Sequence, residues 1–504
     1  MQNKKMKVLL KKMTGNRDKK GLVLVAVLWI VAILTIIATS VGQNSRLDTK
    51  VSTMRMEELR CRWACRAGIE TAIGVLNEDL RESDNLTELW SDNDEDFNDV
   101  ILERCWFSVK VIDESSKLNI NTVTKQQLLQ LPYMEEDIAD AIIDWRDGDD
   151  TPNAEGVEGG YYENLPIGYT IRNGPFKTIR ELLLVKGVTE ELFYGEDTNF
   201  NGLLDYNEKD GDESPPNDDK DDVLDVGWIA YLTCYSYDRN VDAEGNQKVN
   251  INQANESQLQ SSLGISRPQA QWIIQRRQNN NFTSIADLIN NSSSQQSSQQ
   301  SSQQSSQQSS QQSSQQSSQQ SSQQSSQQSS QQSSQQNSQQ SSQQNPQQNS
   351  QQSSQRGSQS GSSQTEPVNL QTFYEIADKI TVDSGNQIAG KVNINTAPKG
   401  VLLALLGDSE ANMEIAENIV AYREGLTEGM QSIAELMSSG LVNQNTFAQI
   451  ANNITTRSNV FTIRCSATAD RGGVSGTTLQ TEVVVDRSES PYTTLYWYQG
   501  ASNL

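Results

Sequence analysis

The feature that most constrains this chain is an unbroken apolar run from Leu22 to Ala38 in which Thr35 is the only polar residue. Thr39 to Gly42 extend the run without a charge. At ~1.5 Å rise per residue the segment measures ~25–30 Å as a helix, just enough to span a bilayer. The leader before it holds Lys4, Lys5, Lys7, Lys11, Lys12, Arg17, Lys19 and Lys20 against the single acid Asp18, a bias that keeps such a segment on the cytoplasmic side. A cleaved secretory peptide has a shorter apolar region and a small-x-small end. Here the sequence continues as an amphipathic helix to about Leu80, with Val51, Met54, Leu59, Ala64, Ala67, Ile69, Ile73 and Leu76 at helical spacing. The run therefore reads as the anchor of a single-pass membrane protein.

Beyond the anchor the chain is acidic. The whole sequence of 504 residues carries a net charge of −24 despite its basic leader. Such a surface repels nucleic-acid phosphates and anionic lipid and attracts divalent cations. The chain has no histidine, and its five cysteines, Cys61, Cys65, Cys105, Cys234 and Cys465, form no paired CxxC motif. Neither a zinc site nor a Cys-His nucleophile has support, and no enzymatic activity is expected. Cys61 and Cys65 share one helix face; spacing alone leaves disulfide pairing open.

A module recurs three times. KLNINTVTKQQLLQLPYMEEDIADAIIDWR starts at Lys117, KVNINQANESQLQSSLGISRPQAQWIIQRR at Lys248, and KVNINTAPKGVLLALLG at Lys391, with EIAENIVAYR from Glu414. Each has a downstream echo: FKTIRELL from Phe176, FTSIADLI from Phe282 and MQSIAELM from Met430. Each copy reads as an extended lead-in, a helix capped by Thr122, Asn252 or Thr396, and a second helix. The apolar faces of the second helices are Ile138, Ala141, Ile142 and Trp145; Ala270, Ile273 and Ile274; and Ile415, Ile419 and Val420. Thr178 and Ser284 are N-caps for the echo helices.

The module resembles the helix-hairpin-helix family, whose nucleic-acid-binding members present glycine-exposed backbone N–H groups to phosphate. In the first copy Tyr133 and Glu135 stand at the glycine positions, and the second copy keeps only Gly264, with Ser266 at the other. An acid where phosphate would sit, on an acidic chain, favours scaffolding. No nucleic acid is expected as a partner, and a membrane-anchored DNA-binding protein is the remote alternative.

The stretch DTNFNGLLDYNE matches the twelve-residue EF-hand-type calcium loop. Asp197, Asn199 and Asn201 would offer side-chain oxygens, Leu203 its carbonyl, Asp205 a direct or water-mediated contact and Glu208 both carboxylate oxygens. Gly202 would make the turn. Calcium (Ca2+) in a structural role is the expected cofactor. A second acidic cluster, Asn217 to Asp225, lacks this regular spacing, and the polar segment between Arg146 and Pro175 reads as a solvated, partner-facing or ion-stabilised loop.

Ile101 to Ile112 alternates as a strand, Val226 to Tyr237 holds another candidate strand or helix, and Phe461 to Ala467, Thr477 to Asp486 and Thr493 to Tyr498 supply three late strands. The simplest sheet joins the early strand to the late ones, with the N-terminal helix packed on it and the helical modules inserted between its strands. Residues 292–364 are almost entirely Ser-Ser-Gln-Gln and read as a disordered linker.

Taken together, the sequence resembles the K family of type II secretion minor pseudopilins. The junction Gly21-Leu22 is similar to a prepilin processing site, and position five of the processed chain is Ala26 where most pilins and pseudopilins have glutamate, the absence that family shows. Lys117 to Asn121, Ala141 to Asp150, Tyr161-Tyr162 and Pro175 to Gly187 resemble the family's inserted helical domain. The resemblance implies an α+β fold: a pilin-like long N-terminal helix on an antiparallel sheet, with a large inserted helical domain. It divides the chain into a leader (1–21), the transmembrane part of the helix (22–42), the first part of the pilin-like core (43–116), and the inserted domain with two modules and the calcium loop (117–291). The linker (292–364), the third module (365–457) and the C-terminal strands (458–504) complete it.

It further implies a filament-tip subunit that nucleates assembly with other minor pseudopilins, supports export of folded proteins across the outer membrane, and is processed by prepilin peptidase. Its anchor would lie in the inner membrane and its C-terminal domains in the periplasm. A subunit lacking the position-five carboxylate has no charge to pair with a neighbour's terminal amine. A minor component of a type IV pilus is the alternative.

Overall fold

The computed structural model describes residues 17–197, 204–209, 211, 220–289, 365–473, 475–489 and 491–501. Most of the leader, the Ser/Gln tract, and Asn199, Asn201 and Leu203 of the expected calcium loop lie outside the described residues.

Helix α1 spans Arg17–Glu78. From Gly21 to Met56 its side chains are exposed, and burial begins at Glu57. The expected amphipathic stripe is corrected at its start: Val51, Met54 and Leu59 remain exposed, and the buried face is Cys61, Ala64, Cys65, Ile69, Ala72, Ile73 and Leu76. The reason is that the sheet ends there. Glu57 accepts from Arg471 Nε at 2.7 Å and Nη2 at 2.6 Å, at the turn closing the hairpin of residues 460–486, so earlier residues have no strand opposite them.

The sheet contains β1 (Val100–Leu102), β2 (Cys105–Asp113), β3 (Val460–Asp470), β4 (Ser475–Asp486) and β5 (Thr493–Ala501), in that spatial order and antiparallel throughout. The early strand thus joins the late ones as expected, and the architecture is the expected α+β arrangement. One correction concerns Ile101 to Ile112. This stretch is a hairpin rather than one strand, with Leu102 facing Cys105 across Glu103-Arg104 and Glu103 at φ 55°. Alternation persists through the turn, and neither turn residue is the glycine or asparagine that marks such positions.

Phe107, Val109, Phe461, Ile463, Ala467, Ala469 and Val483 face α1 in one apolar core. The helix approaches closely at Gly68, where an added Cβ would lie 2.8 Å from side-chain atoms of Phe107 and Val109. Overpacking of this kind costs about 1–3 kcal/mol. At the far end Arg487 is buried, donates to Asp79 Oδ2 at 2.7 Å and to Asp84, and lies 4.7 Å from the Phe461 ring centre.

Asp113 and Phe461 are register partners, so residues 114–459 leave and re-enter the sheet at neighbouring strands. Asp113 is itself the junction. It accepts from Ser115 N at 2.7 Å, Asn393 Nδ2 at 3.0 Å and Thr396 Oγ1 at 2.5 Å, while burial pushes its carboxyl above the ordinary range. The chain forms two compact units, Met1–Lys248 with Ala377–Leu504, and Val249–Ile376.

All three modules share one construction. The helices are α2 (Lys125–Leu128) and α3 (Glu136–Arg146), α4 (Glu256–Leu263) and α5 (Arg267–Asn279), and α6 (Lys399–Leu406) and α7 (Glu410–Glu424). Their N-caps correct the expectation. Thr124, Asn255 and Pro398 precede the first helices, whereas Thr122, Asn252 and Thr396 sit in the preceding turn. Asn119, Asn250 and Asn393 start that turn, each accepting the N–H two residues on.

The next asparagine explains the echo. Asn121 exchanges two hydrogen bonds with the backbone of Phe176, Asn252 with Phe282 and Asn395 with Met430, at 2.7–3.1 Å. A basic residue closes each module: Arg146 donates to Ile120 and Val123 carbonyls, Arg277 to Ile251, and Arg423 to Ile394 and Ala397. Thr178 and Ser284 cap the echo helices as expected.

Candidate anchor and metal sites

Gly21, Leu22 and Ala26 all lie on α1 with exposed side chains. The helix is long and apolar enough to cross a membrane, with mean hydropathy 3.0 over its most apolar window and none of that window buried. Position 26 offers a methyl group in a stretch where a carboxylate would need a charged partner.

Of the expected calcium ligands, the structure describes Asp197, Asp205 and Glu208. Asp197 is 8% exposed and Glu208 is fully buried. The chain enters the segment through Gly195 at φ +69°, where an added Cβ would meet Asp225 O at 2.3 Å. Glu196 then brackets Asp225, its N–H donating to Asp225 O at 2.8 Å and its Oε2 accepting Asp225 N at 3.0 Å. At the exit, Glu208 Oε2 accepts Asp205 N at 3.1 Å and Glu208 N donates to Asp205 O at 3.0 Å. Both ends of the segment are therefore fixed. A donor set of carboxylates, two of them withdrawn from water, fits a hard oxygen-liganded cation.

A second carboxylate group lies outside the calcium-loop motif. Asp147, Asp149 and Glu158, in the polar loop of the first module, bring carboxylate oxygens within 4.8 Å of one another. Asp147 Oδ1 and both Glu158 oxygens are buried and make no hydrogen bond. Burial, reinforced by Asp144 and Asp147, pushes Glu158 up to about 7, and burial raises Asp147. Like charges this close share a proton or a cation. Clustering was legible in Asp147-Gly-Asp-Asp, but Glu158 is brought in only by the loop's return.

A third group, Asp79, Asp84 and Glu88, also lies within 4.8 Å. Here Arg487 already supplies the cation to Asp79 and Asp84. Burial nevertheless pushes Asp84 up to about 6 and Glu88 up to about 7.

The helix-hairpin-helix positions are equally specific. Tyr133, Gly264 and Gly407 occupy equivalent places after the first helix of each module, and all have positive φ, at 57°, 68° and 91°. Two positions later Glu135, Ser266 and Ser409 are the N-caps of the second helices. The hairpin backbone survives in all three copies, while the first presents an exposed tyrosine and an acid where phosphate binding calls for bare N–H groups.

Two family models described as Type II secretion system (T2SS), protein K match residues 112–194 and 392–461, and a helix-hairpin-helix motif model matches 244–292. Curated relatives named Type II secretion system protein K are similar over parts of their length. That of Klebsiella pneumoniae is 25% identical over 198 residues, covering 35% of this chain and 61% of the relative. That of Pseudomonas aeruginosa is 26% identical over 195 residues, covering 34% and 58%. That of Pectobacterium carotovorum subsp. carotovorum is 27% identical over 199 residues, covering 35% and 60%. The match thus spans about three-fifths of the curated relatives' length. The crystal structure of the GspK-GspI-GspJ complex from the enterotoxigenic Escherichia coli Type 2 Secretion System aligns with 90% of this chain and 99% of its own matched chain, at 12% identity and a TM-score of 0.42.

Proposed function

Because the chain belongs to the type II secretion system protein K family, we propose that it is a minor pseudopilin that caps and nucleates the tip of the secretion pseudopilus. In that role it supports export of folded proteins across the outer membrane. Prepilin peptidase cuts between Gly21 and Leu22. The processed helix stays in the inner membrane, with the later domains in the periplasm, and its partners are other minor pseudopilins met through α1 and the sheet. Calcium, held by the 197–208 loop, has a structural part, neutralising carboxylates that would otherwise repel.

The observation that carries this reading is the combination at position 26. A bare apolar helix with alanine in place of the carboxylate can enter a bundle of like helices but has no charge to offer the terminal amine of another subunit. The insertion leaves and re-enters the same sheet at neighbouring strands, β2 and β3. Intact mass of the chain from cells with and without prepilin peptidase tests the reading. A mature species starting at Leu22 only when the peptidase is present supports it, and the same mass from both defeats it.

A further inference from the structure

Four of the five cysteines meet in one layer of the core. Cys61 and Cys65 lie one turn apart on the buried face of α1, Cys105 starts β2 and Cys465 lies in β3, all at most 3% exposed. The strand cysteines point at the helix. Cys105 shares the inward set with Phe107 and Val109, and Cys465 lies between Ile463 and Ala467. The strand register sets Cys105 opposite Ala469 and Cys465 opposite Val109, two levels of the sheet that match the two cysteine levels of the helix. Cys65 Sγ also lies 3.5 Å from the Cys465 carbonyl, and Cys61 Sγ lies 3.2 Å from that of Thr477. Gly68, Ala64, Ala467 and Ala469 let the helix and sheet approach closely here. Buried cysteine often serves only as a small apolar residue, but that role does not sort four of them into two helix–strand pairs.

The geometry points to two disulfide-forming pairs, Cys61 with Cys105 and Cys65 with Cys465, that staple the membrane-proximal helix to neighbouring strands. The assignment rests on the periplasmic reading, since such bonds persist in an oxidising compartment. In each step two thiols lose two protons and two electrons and form one S–S bond. A CxxC protein-disulfide oxidant takes both up by thiol–disulfide exchange and leaves as its dithiol. Burial pushes Cys61 up to about 12, and the neighbouring Cys65 thiol together with burial holds Cys465 far above the thiol range. The thiolate is the attacking species. The bonds therefore form while the chain folds, before the layer closes. Cys65 and Cys465 are 400 residues apart, so their link closes the insertion into one covalent loop with the helix.

Tryptic mapping resolves the pairs, because Arg62 and Arg66 separate Cys61 from Cys65 and the strand cysteines follow Arg104 and Arg464. The full-length chain is taken from cells under acid trapping, alkylated and digested without reduction. The expected products are Cys61-Arg62 joined to Cys105–Lys110, Trp63–Arg66 joined to Cys465–Arg471, and an alkylated Cys234. Five alkylated cysteines, a Cys61–Cys65 bond or crossed pairing overturns the assignment. In Cys61→Ser, Cys105 becomes alkylated while the second bond remains. A reporter fused after Leu504 tests the compartment separately. If it reads cytoplasmic, the location reading fails alone. The reduced chain refolded in a glutathione redox buffer then decides the pairs: the same two bonds uphold them, and a fully reduced or scrambled product overturns them.

Discussion

Asn395 is the module residue whose replacement has the largest expected effect. Its amide donates to Met430 O at 2.9 Å and accepts Met430 N at 2.9 Å, with Asn395 1% exposed and Met430 fully buried. Asn395→Ala strands one buried donor and one buried acceptor, each at about 1–3 kcal/mol, so the third module loses about 3 kcal/mol. Asn121 and Asn252 make the same two bonds but are only half-buried, so water replaces the lost partner and their alanine variants lose about 1 kcal/mol. Asn395→Asp is at least as harmful as alanine, because it still accepts Met430 N but sets a charged oxygen against Met430 O. Amide hydrogen exchange provides the readout. Ile394 N donates to Thr455 O at 3.0 Å and keeps that bond in every variant. Its exchange accelerates about 100-fold in Asn395→Ala, the equivalent of the predicted loss. The Asn121 and Asn252 variants show smaller changes, read at Val123 and Ala254, whose N–H groups keep their bonds to Asn119 O and Asn250 O at 2.8 Å. Exchange at Ile394 within about threefold of wild type, or equal effects in all three modules, would refute the clamp reasoning.

Three further outcomes are expected. Arg471 and Thr477 hold Glu57 down at about 2 from its ordinary 4.5, so its contribution is complete above about 4.5 and lost as pH falls towards about 2; Glu57→Gln lowers the melting temperature at neutral pH and flattens its acid decline, and an unchanged decline contradicts the helix–hairpin tie. Arg487→Met leaves Asp84 buried without its partner and costs about 3–5 kcal/mol; urea denaturation shows partial recovery on adding Asp84→Asn, and no recovery places the damage in packing over Phe461. Chelator lowers the melting temperature of the wild-type chain, and Glu208→Gln abolishes that sensitivity; sensitivity that survives Glu208→Gln but is lost in Asp149→Asn moves the ion to the first module's loop.

The anchor, the repeats and the late strands were legible because each rests on a local period or a recurring string. Positions two or three residues apart were less secure. Thr122 and Thr396 resemble caps, but Thr396 is drawn to Asp113 and the helix starts later. Thr124-Lys-Gln-Gln127 and Asn255-Glu-Ser-Gln258 are the reciprocal caps. The echo was visible as a string, while its cause, an asparagine side chain reaching 30 to 55 residues downstream, exists only in three dimensions. Tyr133 shows a related limit: the left-handed backbone turn was retained after the glycine that usually marks it was absent. The carboxylates of Asp147, Asp149 and Glu158 and the four core cysteines likewise converge through long connections that local periodicity does not encode.

The proposed tip position is the property that would separate this chain from an ordinary filament subunit. Gold labelling of full-length chain, tagged after Leu504 and assembled with its partner pseudopilins, reads that position directly by electron microscopy. Label at one end of each filament, with few filaments in cells lacking the chain, is the predicted result. Label distributed along the filament, or filaments undiminished without the chain, contradicts it.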